Sequence, residues 1–525
     1  MATLAEKIKA IIRRLFQRIA ALFRRHPNKG RILISFGPWL PDLPAYGQHA
    51  TIAKNTIPGP ASYQPFPSLS VFSGALGAAC QGATAVKSGI SVLNFAGTGA
   101  KLYLLSDATY TDVSLAANYT GTVEDRWSWA MYGKRIITTN YADYPQSYVA
   151  GTSTLFANLT TTLKARYVGV IREFVVMANT YDATDGALPN QVWWSAINDP
   201  TDYTVSVSTQ SDKQQMYGEG DVGEITGFIG GEAGTIFMEG GIFRMTYVGG
   251  PTIFSFDQIV FGAGCLIPGS IAAYGSMIYY LGPDGFYLLN GTSVMPIGKG
   301  KVDEWLYADM DPALAHMCSS VIDPDKALYL LAYPGADNTG TCNRVIAYNW
   351  ESGRWAYAEP GNVEMLVNSI TQTSDMDSAT AETLYGNIDT GDFANVSVDD
   401  RMFATAFLQK PILSAINGDH KLAYFNSDPL TAVVETAEAQ IHPGRKSLIN
   451  NVRTMVEGSA TITVEVGTRD TTGAVVSYSS PATVNSYGEA NLFASGRYHR
   501  ARVTINGEFD HAYGLDFDSV PQGKY

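Results

Sequence analysis

Between about residues 87 and 409 the chain repeats one motif: a pair of short apolar runs closed off by turn residues. The pairs begin near Ile90, Trp127, Tyr167, Ile225, Ile271 and Met317, at successive spacings of 37, 40, 58, 46 and 46 residues. Two of them echo each other directly. Ala130-Met131-Tyr132-Gly133-Lys134-Arg135-Ile136 and Ala272-Ala273-Tyr274-Gly275-Ser276-Met277-Ile278 share the pattern A-x-Y-G-x-x-I at an offset of 142, which is three units of about 47. Repeats of that length, each with several short strands, suit the blades of a β-propeller, where four-stranded sheets close radially and leave no long exposed edge. Six or seven blades fit the span.

The rest of the composition agrees with strands. Charged residues make up 16% of the chain and aromatics 11%, with 51 glycines. Val, Ile, Thr, Tyr and Phe recur between Gly, Asn and Asp with almost no sustained 3.6-residue period, so the body reads as all-β. Beyond residue 419 the alternation becomes cleaner, as in Ala460-Thr461-Ile462-Thr463-Val464-Glu465-Val466, and about a hundred residues of this kind predict a β-sandwich. Residues 32–86 contain Pro38, Pro41, Pro44, Pro58, Pro60, Pro65 and Pro67, which break any long element. They read as an extended arm, with Trp39, Leu43, Tyr46, Tyr63 and Phe66 as apolar anchors for a neighbouring subunit. The expected organisation is a helix over 1–31, the arm over 32–86, a propeller over 87–418 and a sandwich platform over 419–525.

The first 31 residues stand apart. At 100° per residue, Leu4, Ile8, Ile12, Leu15, Ile19, Leu22 and Phe23 share one face with Ile11 and Phe16, and basic residues fill the other. This amphipathic helix reads as a docking helix that buries its apolar stripe on a partner; contact with an anionic membrane surface or with DNA are the less favoured readings. The segment holds nine Lys or Arg and one Glu, so the remaining chain carries 27 basic and 48 acidic residues, a net −21. So acidic a body argues against a surface that grips nucleic acid and suits a wall that DNA slides past. The sequence has neither a signal peptide nor a transmembrane run, so synthesis in the cytoplasm is expected.

Motifs for chemistry lead to structural readings. Cys80, Cys265, Cys318 and Cys342 have no CxxC spacing, and His316 with Cys318 lacks further ligands, so neither a metal nor a cofactor is expected. Gly230-Gly231-Glu232-Ala233-Gly234 lacks the P-loop lysine. The carboxylates that a propeller glycosidase would pair include Asp221 with Glu224, Asp257, and Asp323 with Asp325. Asp323-Pro324-Asp325-Lys326 between two apolar runs predicts a hairpin turn, and Asp389-Thr390-Gly391-Asp392 reads as a turn, with a calcium loop as the alternative. No catalytic residues are assigned.

Several segments together resemble one family. They are Phe36-Gly37-Pro38-Trp39-Leu40-Pro41-Asp42-Leu43-Pro44, Ala53-Lys54-Asn55-Thr56-Ile57-Pro58, Tyr63-Gln64-Pro65-Phe66-Pro67-Ser68-Leu69, Asp125-Arg126-Trp127-Ser128-Trp129-Ala130, Gly496-Arg497-Tyr498-His499-Arg500 and Ala512-Tyr513-Gly514-Leu515-Asp516. In these the chain is similar to the tail nozzle, or tail hub, proteins of short-tailed bacteriophages. The resemblance implies a non-enzymatic virion protein with a propeller and a sandwich platform. It also implies a homohexameric ring below the portal and adaptor rings, contact with a tail needle or fibre, retention of packaged DNA, and passage of double-stranded DNA at ejection. The N-terminal helix is not part of that pattern. The competing expectation is a propeller that binds or hydrolyses glycans on a virion or cell surface.

Overall fold

The computed structural model describes residues 31–88, 91–115, 118–370 and 411–523. Six four-stranded antiparallel sheets, and a seventh set of four strands that forms one end of a ten-stranded sheet, build the blades. Blades 1 to 6 occupy residues 82–112, 128–158, 163–215, 225–261, 272–296 and 319–358. Blade 7 is assembled from two distant pieces: Val363–Ile370, Pro411–Asn417 and Lys421–Pro429 receive Pro67–Ala75 as their fourth strand. The fold is therefore an all-β, seven-bladed propeller whose ring is closed by an N-terminal strand. Four of the expected starts, Trp127, Ile225, Ile271 and Met317, fall within two residues of a first strand, and Tyr167 lies inside the first strand of blade 3. Ile90 lies outside the described residues.

The A-x-Y-G-x-x-I echo has a structural cause. In both copies the glycine opens a two-residue hairpin between the first and second strands of a blade, Tyr132 facing Arg135 and Tyr274 facing Met277. Gly133 has φ 57° and Gly275 φ 60°, a conformation that a residue without Cβ adopts without steric cost. The copies lie in blades 2 and 5, so the offset of 142 is three blades.

Inner strands of a propeller leave backbone groups facing the axis, and these need partners. Side chains from neighbouring blades supply several. Ser128 Oγ accepts from Val168 N at 3.2 Å, Ser319 Oγ accepts from Leu366 N at 2.9 Å, and Asn179 Nδ2 donates to Ile225 O at 3.1 Å. Between blades 7 and 1, where the ring closes, Cys80 N donates to Glu364 Oε2 at 2.9 Å.

The platform is a sandwich drawn from both ends of the described chain. One sheet runs Thr56–Pro58, Tyr63–Pro65, Phe509–Pro521, Ser447–Gly458, Glu489–Gly496, with Arg31–Ser35 also paired to Phe509–Pro521. The second joins Ala50–Lys54, Ala432–Thr436, Tyr498–Asn506 and Thr461–Arg469, and it continues into blade 6 through a parallel bridge between Lys54 and Tyr357. Val434, Val464, Val466, Ala501, Val503 and Ile505 of this sheet face Ile449, Val452, Leu492, Leu515 and Phe517 of the other. The same core extends to Tyr279, Phe286, Tyr329 and Trp355 of blades 5 and 6.

The proline-rich arm departs from expectation. Its residues 50–65 belong to the platform and 67–75 to blade 7. Trp39 is 1% exposed, with its ring 4.8 Å from Trp305 and 5.1 Å from Tyr357. Tyr63 is fully buried and donates to Gly37 O at 2.8 Å, and Phe66 packs edge-on against Phe425 at 5.5 Å. These three anchors serve their own chain, because the arm pairs as short strands within it rather than crossing to a neighbour. Leu43 and Tyr46 remain exposed. The helix face Leu4, Ile8, Ile12, Leu15, Ile19, Leu22 and Phe23 and the Asp389–Asp392 turn lie outside the described residues.

Asn55 joins the pieces. It is buried at φ 56°, donates its backbone N–H to Tyr357 O at 2.7 Å and accepts on its carbonyl from Phe66 N at 3.2 Å. Its side chain donates to Thr431 O at 2.8 Å and accepts from Glu359 N at 2.7 Å. Asn55→Gly keeps the backbone conformation and removes both side-chain hydrogen bonds, a loss of about 1–2 kcal/mol. Asn55→Ala adds left-handed strain of about 1 kcal/mol. Urea midpoints of the three proteins are expected in the order wild type, Gly, Ala.

Candidate functional site

The axis of the propeller, at the end where the first strands begin, is where a conduit or a ligand pocket would open. Arg126 precedes blade 2, and its guanidinium reaches nearly across the ring. Nε donates to the carbonyl of His316, just before blade 6, at 3.2 Å, and a terminal nitrogen donates to Cys80 O, before blade 1, at 3.5 Å. One side chain thus bridges the axial opening. Three thiols surround it. Burial pushes Cys80 and Cys342 up to about 12 and Cys318 well above the ordinary thiol range, and the Arg126 charge opposes this without reversing it. These cysteines are protonated at neutral pH and unsuited to act as nucleophiles.

The carboxylates singled out in the sequence are not brought together. Asp323 Oδ1 accepts from Asp325 N at 3.1 Å and Lys326 N at 3.4 Å, closing the expected hairpin turn of blade 6. Asp221 accepts from Gly223 N at 3.3 Å in the loop before blade 4, whereas Asp257 faces Arg244 on that blade's outer strand. His316 engages Arg126 through its carbonyl, with Cys318 buried behind it. Among the described residues no three His, Cys, Asp or Glu side chains form a group that could hold a metal ion.

Where platform meets propeller, a cleft of about 550 Å³ opens between residues 35–40, Pro60, Ala61, Lys301 and residues 352–355. Its buried cation, Arg354, is already engaged. It donates to Gly59 O at 3.1 Å, Phe36 O at 3.1 Å and Gly37 O at 2.7 Å, and it lies 4.6 Å from the Tyr63 ring centre. Arg354 is therefore a structural tie, satisfying carbonyls of a segment too irregular to pair as strand.

Charged side chains form a ladder across the outer face of the shared sheet. Arg344 meets Glu359 at 2.9 Å, Asp337 at 3.0 Å and Asp309 at 3.4 Å, and Lys54 also pairs with Glu359. Farther along, Arg500 links Glu435 at 3.1 Å to Glu438 at 2.7 Å, Arg502 meets Glu435 at 2.8 Å, and Arg469 pairs with Glu438. Glu435 and Glu438 are almost fully buried, so each carboxylate relies on these guanidinium partners to offset its desolvation. The sequence search for paired acids missed the ladder, since its members come from strands hundreds of residues apart.

A short helix, Asp303–Asp309, sits between blades 5 and 6 and is capped by Asp42 of the platform segment, whose carboxylate accepts from Trp305 N at 2.8 Å and Glu304 N at 3.1 Å. Asp303 lies buried against Gly285 and Gly298 and accepts from Phe286 N at 3.1 Å. Burial, with a smaller push from Asp42, raises its carboxyl to about 6, against the pull of the Phe286 N–H and Lys301. Its folded value lies above the unfolded one. The stability gained from proton uptake is therefore full below about pH 4 and lost as pH rises through about 6. Asp303→Asn keeps the acceptor without the charge. It is expected to unfold at the same temperature as wild type at pH 4 and to be more stable by about 1–3 kcal/mol at pH 7.5 in thermal melts.

No family model and no curated protein matches the chain. Among solved structures, it is similar to a chain in a crystal structure of a mitotic checkpoint complex, with TM-score 0.37, 10% identity, and coverage of 68% of this chain and 92% of that one. It is also similar to the computationally designed Ika8 protein, with TM-score 0.33, 10% identity, and coverage of 69% and 99%. Likeness at these scores carries no argument, and the propeller stands on its own sheet order.

Proposed function

We propose that this protein is a structural subunit of the tail nozzle of a short-tailed bacteriophage, forming a ring below the portal and adaptor through which the genome leaves. The observation that carries the reading is the continuous sheet shared by blade 6 and the platform. Together with Asn55 and Arg354 it fixes two modules in one orientation, as a subunit of a closed ring requires, because small angular errors accumulate around the symmetry axis. The bridging of the propeller axis by Arg126 bears on the route of DNA. A duplex whose major groove alone is about 12 Å wide has no passage there, so in this reading the channel runs between copies, along their shared symmetry axis. A body of net charge −21 would keep such a wall from holding phosphates.

The test is the assembly itself. Mass photometry and negative-stain microscopy of the purified full chain are expected to show a six-fold ring with a central opening wide enough for a duplex, and the ring should bind the portal–adaptor complex. A protein that stays monomeric at micromolar concentration, with or without that complex, would sink the proposal.

A further inference from the structure

One face of the propeller carries a feature that tail architecture does not require. Asn140, Tyr141 and Ala142 form a γ-turn: Ala142 N donates to Asn140 O at 2.9 Å, and Tyr141 has φ 68°. Positive φ in a bulky residue is a steric outlier, and γ-turns of this hand are rare and strained. The surroundings hold it there. Asp143 accepts from Thr120 N at 2.9 Å, Thr120 Oγ1 at 3.0 Å and Asn140 Nδ2 at 3.1 Å, while Lys164 Nζ donates to Ala142 O. Tyr141 N donates to Ala165 O at 2.9 Å, which seats the turn over the first strand of blade 3.

That strand presents Arg166, whose guanidinium lies 4.9 Å from the centre of the Tyr141 ring. Among the described residues it makes no hydrogen bond and no ion pair, whereas Arg126, Arg344, Arg354 and Arg500 nearer the core are all engaged. Tyr181, 40% exposed, extends the same surface from the second strand of blade 3, facing Lys164 in register, and Tyr144 is 39% exposed beside Lys164. Asp125 and the exposed Glu224, which lead into blades 2 and 4, lie within electrostatic reach of the Tyr141 hydroxyl. Three consecutive blades thus contribute a guanidinium fork, tyrosine rings and two carboxylates to one rigid patch.

We propose that this patch binds an acidic saccharide, one carboxylate-bearing sugar at a time. The planar fork of Arg166 matches a carboxylate with two parallel hydrogen bonds. Tyrosine faces offer apolar surface for sugar rings, and sugar hydroxyls are accepted by Glu224 and by Asp125 Oδ1, Oδ2 of Asp125 being taken by Thr122. The same two acids disfavour nucleic acid, whose every unit adds a phosphate. Strain at Tyr141 agrees with a ring held for a ligand.

The experiment is calorimetric titration of the full chain with a neutral hexasaccharide carrying one terminal galacturonate, with maltohexaose and a short DNA duplex as comparisons. The uronate is expected to bind, with maltohexaose at least tenfold weaker and DNA not at all. Arg166→Gln and Tyr141→Gly are expected to weaken uronate binding at least tenfold while Tm falls by no more than about 2 °C. Arg166→Lys, which keeps the charge without the fork, should weaken it as well, and serves if either other variant fails to fold. Absence of uronate binding, equal binding of maltohexaose, a preference for DNA, or binding indifferent to these substitutions would each overturn the assignment.

Discussion

Asn55 stands where three other stretches of backbone meet it, and each finds a partner there. The end of blade 6 supplies Tyr357 O and Glu359 N, the approach to the platform supplies Thr431 O, and the approach to blade 7 supplies Phe66 N. A side-chain amide can donate and accept at once, and asparagine tolerates positive φ better than most residues, so one side chain meets both demands. Everything that orients the two modules passes near this point. The strand before it enters the platform sheet, the bridge from Lys54 to Tyr357 carries that sheet into blade 6, and Arg354 covers the carbonyls that the irregular segment 36–59 leaves open.

Register in the platform sheet is fixed by charge as well as by apolar burial. Along Tyr498–Asn506 the outward Arg500 and Arg502 alternate with the inward Ala501, Val503 and Ile505. A slip of one residue would drive two guanidinium groups into the core and leave Glu435 and Glu438 buried without partners. The ladder adds little net energy over well-packed apolar residues, but it makes each neighbouring register very costly. Alternation alone still allows a slip of two residues, which keeps the apolar face inward, and the specific ion pairs oppose that slip as well.

Much of this architecture was legible because it is local. Hairpin glycines, the strand-turn-strand around Asp323 and the 142-residue echo each act within a few residues, so the sequence displays them directly. What escaped was long-range pairing. Pro67–Ala75 closes a blade whose other strands lie beyond residue 363, so the seventh repeat never appears as a repeat. The apolar residues of the arm were visible as anchors, yet Trp39 and Tyr63 pack against residues some 300 positions away, and no local signal separates that from docking on another subunit. Arg126 and Tyr141 were hidden for a related reason. One spans the ring, and the other owes its conformation to contacts from blade 3, not to its own type.

The topology also dictates an order of events. Residues 31–75 supply strands to the platform and to blade 7, and apart from the bridge of Lys54 to Tyr357 the strands they pair with elsewhere in the chain lie beyond residue 420. Neither module can be completed until both regions are present, and until then blade 7 lacks its fourth strand and Lys421–Pro429 is an open edge. Such edges are templates for mispairing. Pro67–Ala75 covers that edge and begins with Pro67, which has no N–H to offer a further strand. Closure and platform formation are then one step. Pro67–Ala75 cannot seat in blade 7 without drawing Ala50–Pro65 into the sandwich, and the short connection through Asn55 and Phe66 couples the two energetically.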